Sequence, residues 1–236
     1  MTGVTLNDKK AKILSQGISA NDTINELKIV KCKMRFNHME MLCQAIGLNE
    51  SIEYISIEKC NLLQKHGTSL GQALMQNVSL KHLTLIECGI GEYAMIEIAK
   101  GIREAICLEY VDLRHNHFEK EGFEALIDAL KATMACKVLQ LEGLAIGIKE
   151  AELLASFFDH ADCQLYEVDL HQAELQYDVM ERLATSLKTC AALKAISFSK
   201  NNLGIDDFDD TDSEFEDAAF DEDKSTNRNK AMCPLD

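Results

Sequence analysis

Leu80–Ile90 reads LKHLTLIECGI, with aliphatic residues at its first, fourth, sixth and eleventh positions and a cysteine at its ninth. That spacing suits neither a lone amphipathic helix nor a strand alternating along its whole length. It recurs from Ile24 (INELKIVKCKM), Ile52 (IEYISIEKCNL), Leu108 (LEYVDLRHNHF), Cys136 (CKVLQLEGLAI), Leu165 (LYEVDLHQAEL) and Leu193 (LKAISFSKNNL). Successive starts lie 28, 28, 28, 28, 29 and 28 residues apart, so the chain is built from seven copies of one unit.

Each segment reads as a short strand whose fourth and sixth residues enter a core while their neighbours point out. The ninth residue then turns the chain: Cys32, Cys60, Cys88, Asn116, Leu144, Ala173 and Asn201. A polar or thiol side chain there can satisfy backbone groups left open between stacked coils. The rest of each unit has a helical period. Counted from the start as zero, offsets 15, 18, 19 and 22 give Met39, Leu42, Cys43, Ile46; Met95, Ile98, Ala99, Ile102; Phe123, Leu126, Ile127, Leu130; and Met180, Leu183, Ala184, Leu187. Offset 19 is usually small (Cys43, Gly71, Ala99, Ala155, Ala184), which is expected where a helix lies close to its own strand. No proline interrupts the first 203 residues.

This strand-turn-helix unit resembles the ribonuclease-inhibitor-like class of leucine-rich repeats, over residues 24 to about 215. The resemblance implies an α/β right-handed solenoid, a horseshoe arc of about seven 28-residue strand-helix repeats. Scaffolds of that class serve as inhibitors, receptors, filament caps, GTPase activators and ciliary subunits, so it fixes the fold rather than the function. Residues 1–23 are expected to be an N-terminal helical cap with Asn7 at the head of its helix, and residues 24–203 the solenoid. Residues 204–236 are expected to form a short capping helix to about residue 216 and then a disordered acidic tail.

Of 236 residues 47% are hydrophobic, enough for a sizeable core, and no apolar run nears the roughly 20 residues of a membrane helix. Nine cysteines without a secretory signal, at regular positions, point to reduced thiols, hence a soluble cytoplasmic chain with nuclear or ciliary sites as alternatives. The net charge of −15 is uneven: residues 204–236 hold 12 acidic and 3 basic side chains. This balance repels a phosphate backbone, so nucleic acid and membrane are excluded as partners and a protein with a basic surface is favoured.

Between the core positions, offsets 2, 4 and 6 should face outward on the concave side of the sheet. They place Tyr54, His82 and Tyr110 in one row across adjacent coils, then Asp112 and Asp169, then Arg114, Glu142 and His171. These eight residues are the expected partner-binding patch, since rigid amphipathic side chains anchor protein interfaces. The competing reading is that the aromatic row only stabilises the sheet. Thr211 and Ser213, each followed three residues later by an acid, are phosphorylation candidates.

No phosphate loop, dinucleotide fingerprint or nucleophile elbow is present; His115-Asn-His117 lacks the further ligands a metal site requires, and the resemblance places the Cys32, Cys60, Cys88 ladder inward among apolar neighbours, where thiols pack rather than bind zinc. No metal, cofactor or catalysis is expected. The expected function is a non-enzymatic scaffold for a protein partner, in cytoskeletal or ciliary assembly by analogy with this repeat class. The alternative is a regulator of a small GTPase, because 28-residue coils followed by an acidic tail resemble the Ran GTPase-activating proteins.

Overall fold

The computed structural model describes residues 1–188 and 190–201. Thr211, Ser213 and the expected helix to residue 216 lie outside the described residues. The seven strands are β1 (Glu26–Val30), β2 (Tyr54–Glu58), β3 (His82–Ile86), β4 (Tyr110–Asp112), β5 (Val138–Gln140), β6 (Glu167–Asp169) and β7 (Ala195–Ser197). They alternate with α1 (Asp8–Ala20), α2 (Phe36–Leu48), α3 (Gln64–Gln76), α4 (Glu92–Glu104), α5 (Lys120–Thr133), α6 (Ile148–Phe158) and α7 (Tyr177–Leu187). Each strand begins two residues into its unit, and each helix from α2 on begins twelve residues in. The sheet is open, parallel and in sequence order, β1 to β7, and its register pairs each residue with its counterpart one coil on, Tyr54 with His82 and His82 with Tyr110. This is an arc-like α/β repeat solenoid.

The pattern of the core follows the unit. Ile55 and Ile57, Leu83 and Leu85, Val111 and Leu113, Leu139 and Leu141, and Val168 and Leu170 are all at most 1% exposed. Each such pair buries its side chains against the helix that follows, which contributes roughly 1.5–3 kcal/mol per large aliphatic.

A tight turn ends every strand, and its geometry was not legible in the sequence. The eighth residue of each unit is left-handed: Lys31, Lys59, Glu87, His115, Gly143, Gln172 and Lys200 all have φ between 51° and 72°. Only one is glycine. The conformation costs about 1–2 kcal/mol in a residue with a Cβ. A cross-coil hydrogen bond offsets it: the Lys31, Lys59, Glu87, His115, Gly143 and Gln172 amides each donate to the carbonyl one residue before the next coil's turn, at 2.8–3.1 Å. In the neighbouring position the Cys88 amide donates to Asn116 Oδ1 at 3.1 Å, while the Cys32 amide donates to Cys60 Sγ at 3.3 Å. The three ladder thiols are buried, and burial pushes the Cys88 thiol up to about 12.

A second ladder, at the opposite end of the coils, joins helix to strand. Asn49 Nδ2 donates to the Ile18 and Asn21 carbonyls, and Asn77 Nδ2 to those of Ile46 and Asn49, all at 2.7–2.9 Å. Their Oδ1 atoms accept from Ser51, Ile52, Ser79 and Leu80 amides. The tripeptides Asn49-Glu-Ser and Asn77-Val-Ser therefore lock the coils together, and both asparagines are buried.

Residues 1–20 take the place of the second half of a coil stacked on β1. The Gly3 amide donates to Val30 O, the Val30 amide to Met1 O, and Asn7 Oδ1 accepts from the Lys10 amide at the head of α1.

The structure corrects one expectation about packing. An added Cβ at Gly71 would collide not with a strand but with the Glu97 carbonyl oxygen of α4, and one at Gly101 would collide with Gly71 O. Small residues at offset 19 thus serve helix-to-helix contact between coils. The exposure of Ala184 in α7 agrees with a position that looks along the stack instead of inward.

Candidate functional site

The face of the sheet away from the helices carries the expected patch in two parts. Alternation along parallel strands brings Tyr54, His82 and Tyr110 into register, and their rings stack. Tyr54 and His82 centroids are 4.4 Å apart at 25° between planes; His82 and Tyr110 are 5.2 Å apart at 24°. Stacking consumes the faces that the rings turn to each other, so a ligand meets ring edges and hydroxyls. Burial between two tyrosines lowers the His82 pKa, partly opposed by Glu109 and Glu53. Burial, with Asp112 nearby, raises that of Tyr110. Beside the column an alternating row, Glu53–Lys81 and Glu109–Lys137, pairs charges between coils at 2.8 Å.

The second part is a charged cluster where β4, β5 and β6 end. Arg114 Nε and Nη2 donate to the two oxygens of Asp112 at 3.0 and 2.9 Å, and Nη1 reaches Glu142 at 3.4 Å. This bidentate clamp raises the Arg114 pKa further, against the cost of desolvation. Asp112, at 1% exposure, lies beneath the guanidinium. Its role is to hold Arg114, because a buried carboxylate requires a paired cation. Glu142 Oε1 also lies 3.6 Å from His115 Nε2 and 3.8 Å from His171 Nε2. His171 Nδ1 meets Ser199 Oγ at 2.6 Å, and Asp169 Oδ1 accepts from the His171 amide at 2.9 Å.

Sequence reasoning did not place His115 or Ser199 in this cluster. The signal for His115 lies one coil on, at Gly143, where a Cβ would overlap the imidazole ring. The file Ser199, His171, Glu142 has the order of a nucleophile, base and acid. Its acid stands 3.8 Å from Nε2, beyond hydrogen-bond range, and Ser197 Oγ shares the Ser199 hydroxyl at 3.2 Å. The arrangement holds charge and hydrogen-bonding groups in place. Among the described residues no group of three or more His, Cys, Asp or Glu is arranged to hold a metal ion. Among them, too, no helix is long and apolar enough to cross a membrane.

No protein family model matches the chain, and no curated protein matches it. The case for any function therefore rests on the geometry.

Proposed function

We propose that the chain is a non-enzymatic interaction module of the leucine-rich-repeat type, which takes a protein partner on the concave face of its sheet and serves as a scaffold or assembly subunit. The observation that carries this reading is the row of Tyr54, His82 and Tyr110, stacked across three strands and adjoining the Arg114–Glu142–His171 cluster. Side chains so fixed lose little entropy on binding, and a partner able to meet tyrosine hydroxyls, an arginine and a carboxylate finds them prearranged. Glu142 and Asp169 favour a partner with basic groups opposite them.

The double variant Tyr54→Ala, Tyr110→Ala tests it. Affinity-purified partner should bind the variant at least tenfold more weakly, as expected for two interface anchors, while circular dichroism shows the fold retained. Unchanged affinity would assign the column to sheet packing alone.

The small-GTPase reading keeps only the pattern of 28-residue coils before an acidic segment in its favour. Arg114, on this face of the sheet, already directs three of its five N–H donors to Asp112 and Glu142, which leaves its charge largely balanced by carboxylates. Single-turnover GTP hydrolysis by Ran, without acceleration at stoichiometric protein, is the outcome this geometry leads us to expect.

A further inference from the structure

The turns of the first two coils, on a different side of the molecule from the tyrosine column, enclose a cavity of about 540 Å³ lined by Lys31, Lys33, Met34, Lys59, Leu63 and His66 among others. His66 is the third residue of α3 and is 7% exposed. Its Nδ1 accepts from the Leu63 amide at 3.0 Å, so the ring proton sits on Nε2. That N–H is a buried donor with no hydrogen-bond partner. A buried unsatisfied donor costs about 1–3 kcal/mol, so it calls for an explanation.

The neighbouring coils show what is missing. In the preceding coil His38 holds the same place, its Nδ1 accepting from the Arg35 amide, and its Nε2 meets Asp8 at 2.7 Å. Asp8 is the first residue of α1, the helix before. Two coils beyond α3 the same device recurs without a histidine: Glu92, first residue of α4, accepts from the Glu119 and Gly122 amides at the head of α5, both at 2.7 Å. At the corresponding place before α3 stands Phe36, whose ring meets His66 only edge-on at 6.4 Å. The station holds a carboxylate before α2 and before α5, and Phe36 before α3; before α4, α6 and α7 it holds Gln64, Lys120 and Ile148.

Around it the charge is positive. Lys31 and Lys33 have no ion pair among the described residues, and Lys59 is shared with Glu87 at 2.8 Å. A helix N-terminus adds its own partial positive charge.

We propose that this cleft is a docking site for an acidic peptide segment of a partner protein, one aspartate or glutamate of which accepts the His66 Nε2–H while Lys31 and Lys33 meet flanking acids. A carboxylate is chosen because Asp8 is what the Nε2 of His38, the histidine at the same position of α2, meets at 2.7 Å, and because Lys31, Lys33 and Lys59 line the cleft. Nε2 is covered, so the incoming oxygen displaces the Phe36 ring, which is 37% exposed and held by the edge contact and by Lys65 Nζ at 5.7 Å from its centroid. The site does not depend on the concave-face reading and fails or stands separately from it.

The test uses the full chain with 15N-labelled histidine and an acetylated tetraglutamate peptide, read by the His66 ring resonances and by calorimetric titration. Binding should shift the Nε2 resonance of His66. Phe36→Asp supplies the missing acid from within, reproducing the Asp8–His38 pair, and should abolish the His66 shift and weaken binding about tenfold, the loss of one charge-assisted hydrogen bond. Lys31→Ala with Lys33→Ala, both at the surface, should weaken it to a similar degree without altering the fold. No binding by the native chain, or equal binding by native protein and both variants, overturns the proposal. Preference for a phosphoserine peptide or for inorganic phosphate over tetraglutamate overturns the assignment to a carboxylate partner.

Discussion

Asp112 and Glu142 carry the same charge one coil apart, yet one is sealed under Arg114 and the other gathers an arginine and two histidines at its edge. The difference is depth. Asp112 is a strand residue whose two oxygens are both taken, whereas Glu142 stands beyond the end of β5. Histidines are divided in the same way. His66 and His82 both have their pKa lowered by burial, so the folded chain disfavours their protonation. The unfolded chain binds protons near the ordinary value of 6.5, and folding releases them. Stability is therefore fully present above about pH 6.5 and declines as the pH falls through the depressed values. Urea midpoints of the full chain should drop between pH 7.5 and 5.5. His66→Asn, which keeps an acceptor for the Leu63 amide, combined with His82→Phe, should flatten that drop. A drop of the same size in the double variant would place its origin elsewhere. Asp8, Glu58 and Glu87, lowered by their hydrogen-bonded partners, act only in a more acidic range.

At the scale of elements, α3 and α4 approach closely where Gly71 and Gly101 face one another and backbone touches backbone. Gly71→Ala should cost about 1–3 kcal/mol, because a methyl there displaces a carbonyl and not a pliable side chain. Gly17, inside α1, has nothing within 4 Å of an added Cβ, and Gly17→Ala should stabilise by roughly 0.4–1 kcal/mol through helix propensity and a stiffer unfolded chain. Chemical denaturation of the two variants beside the native protein checks both signs, and a neutral Gly71→Ala would mean that the helices part more easily than their geometry implies. The helix faces themselves were legible. Offsets 15, 18, 19 and 22 are buried throughout α2, α4 and α5, since a period of 3.6 admits only one such stripe. What the smallness of offset 19 was for could not be read, because a small residue marks close approach without naming the neighbour.

Across the described residues stability is a sum of coils and of the contacts between them. Leu83 and Leu85 of β3 are wholly buried, whereas Ile196 and Phe198 of the last coil are only partly so. Native-state hydrogen exchange should be slowest at β2 to β4 and faster at β7 by an order of magnitude or more, as about 1.4 kcal/mol less local opening energy implies. Uniform protection along the sheet would show that the stack opens as one unit. Such a gradient leaves the tyrosine column and the His66 cleft in the steadier half of the molecule.

The sequence by itself determined the repeat, the strand and helix order, the core positions and the row that holds Tyr54, His82 and Tyr110, since a fixed period acts on every coil alike. Tertiary structure alone decided the rest. Burial of Asp112, the convergence of His115 and His171 on Glu142, the left-handed turn at six residues with a Cβ, and the unpaired Nε2–H of His66 all depend on what the adjacent coil supplies. Each arises from a residue some 28 positions away, and its distance in space is set by the pitch of the stack, a quantity that no local pattern of side chains encodes.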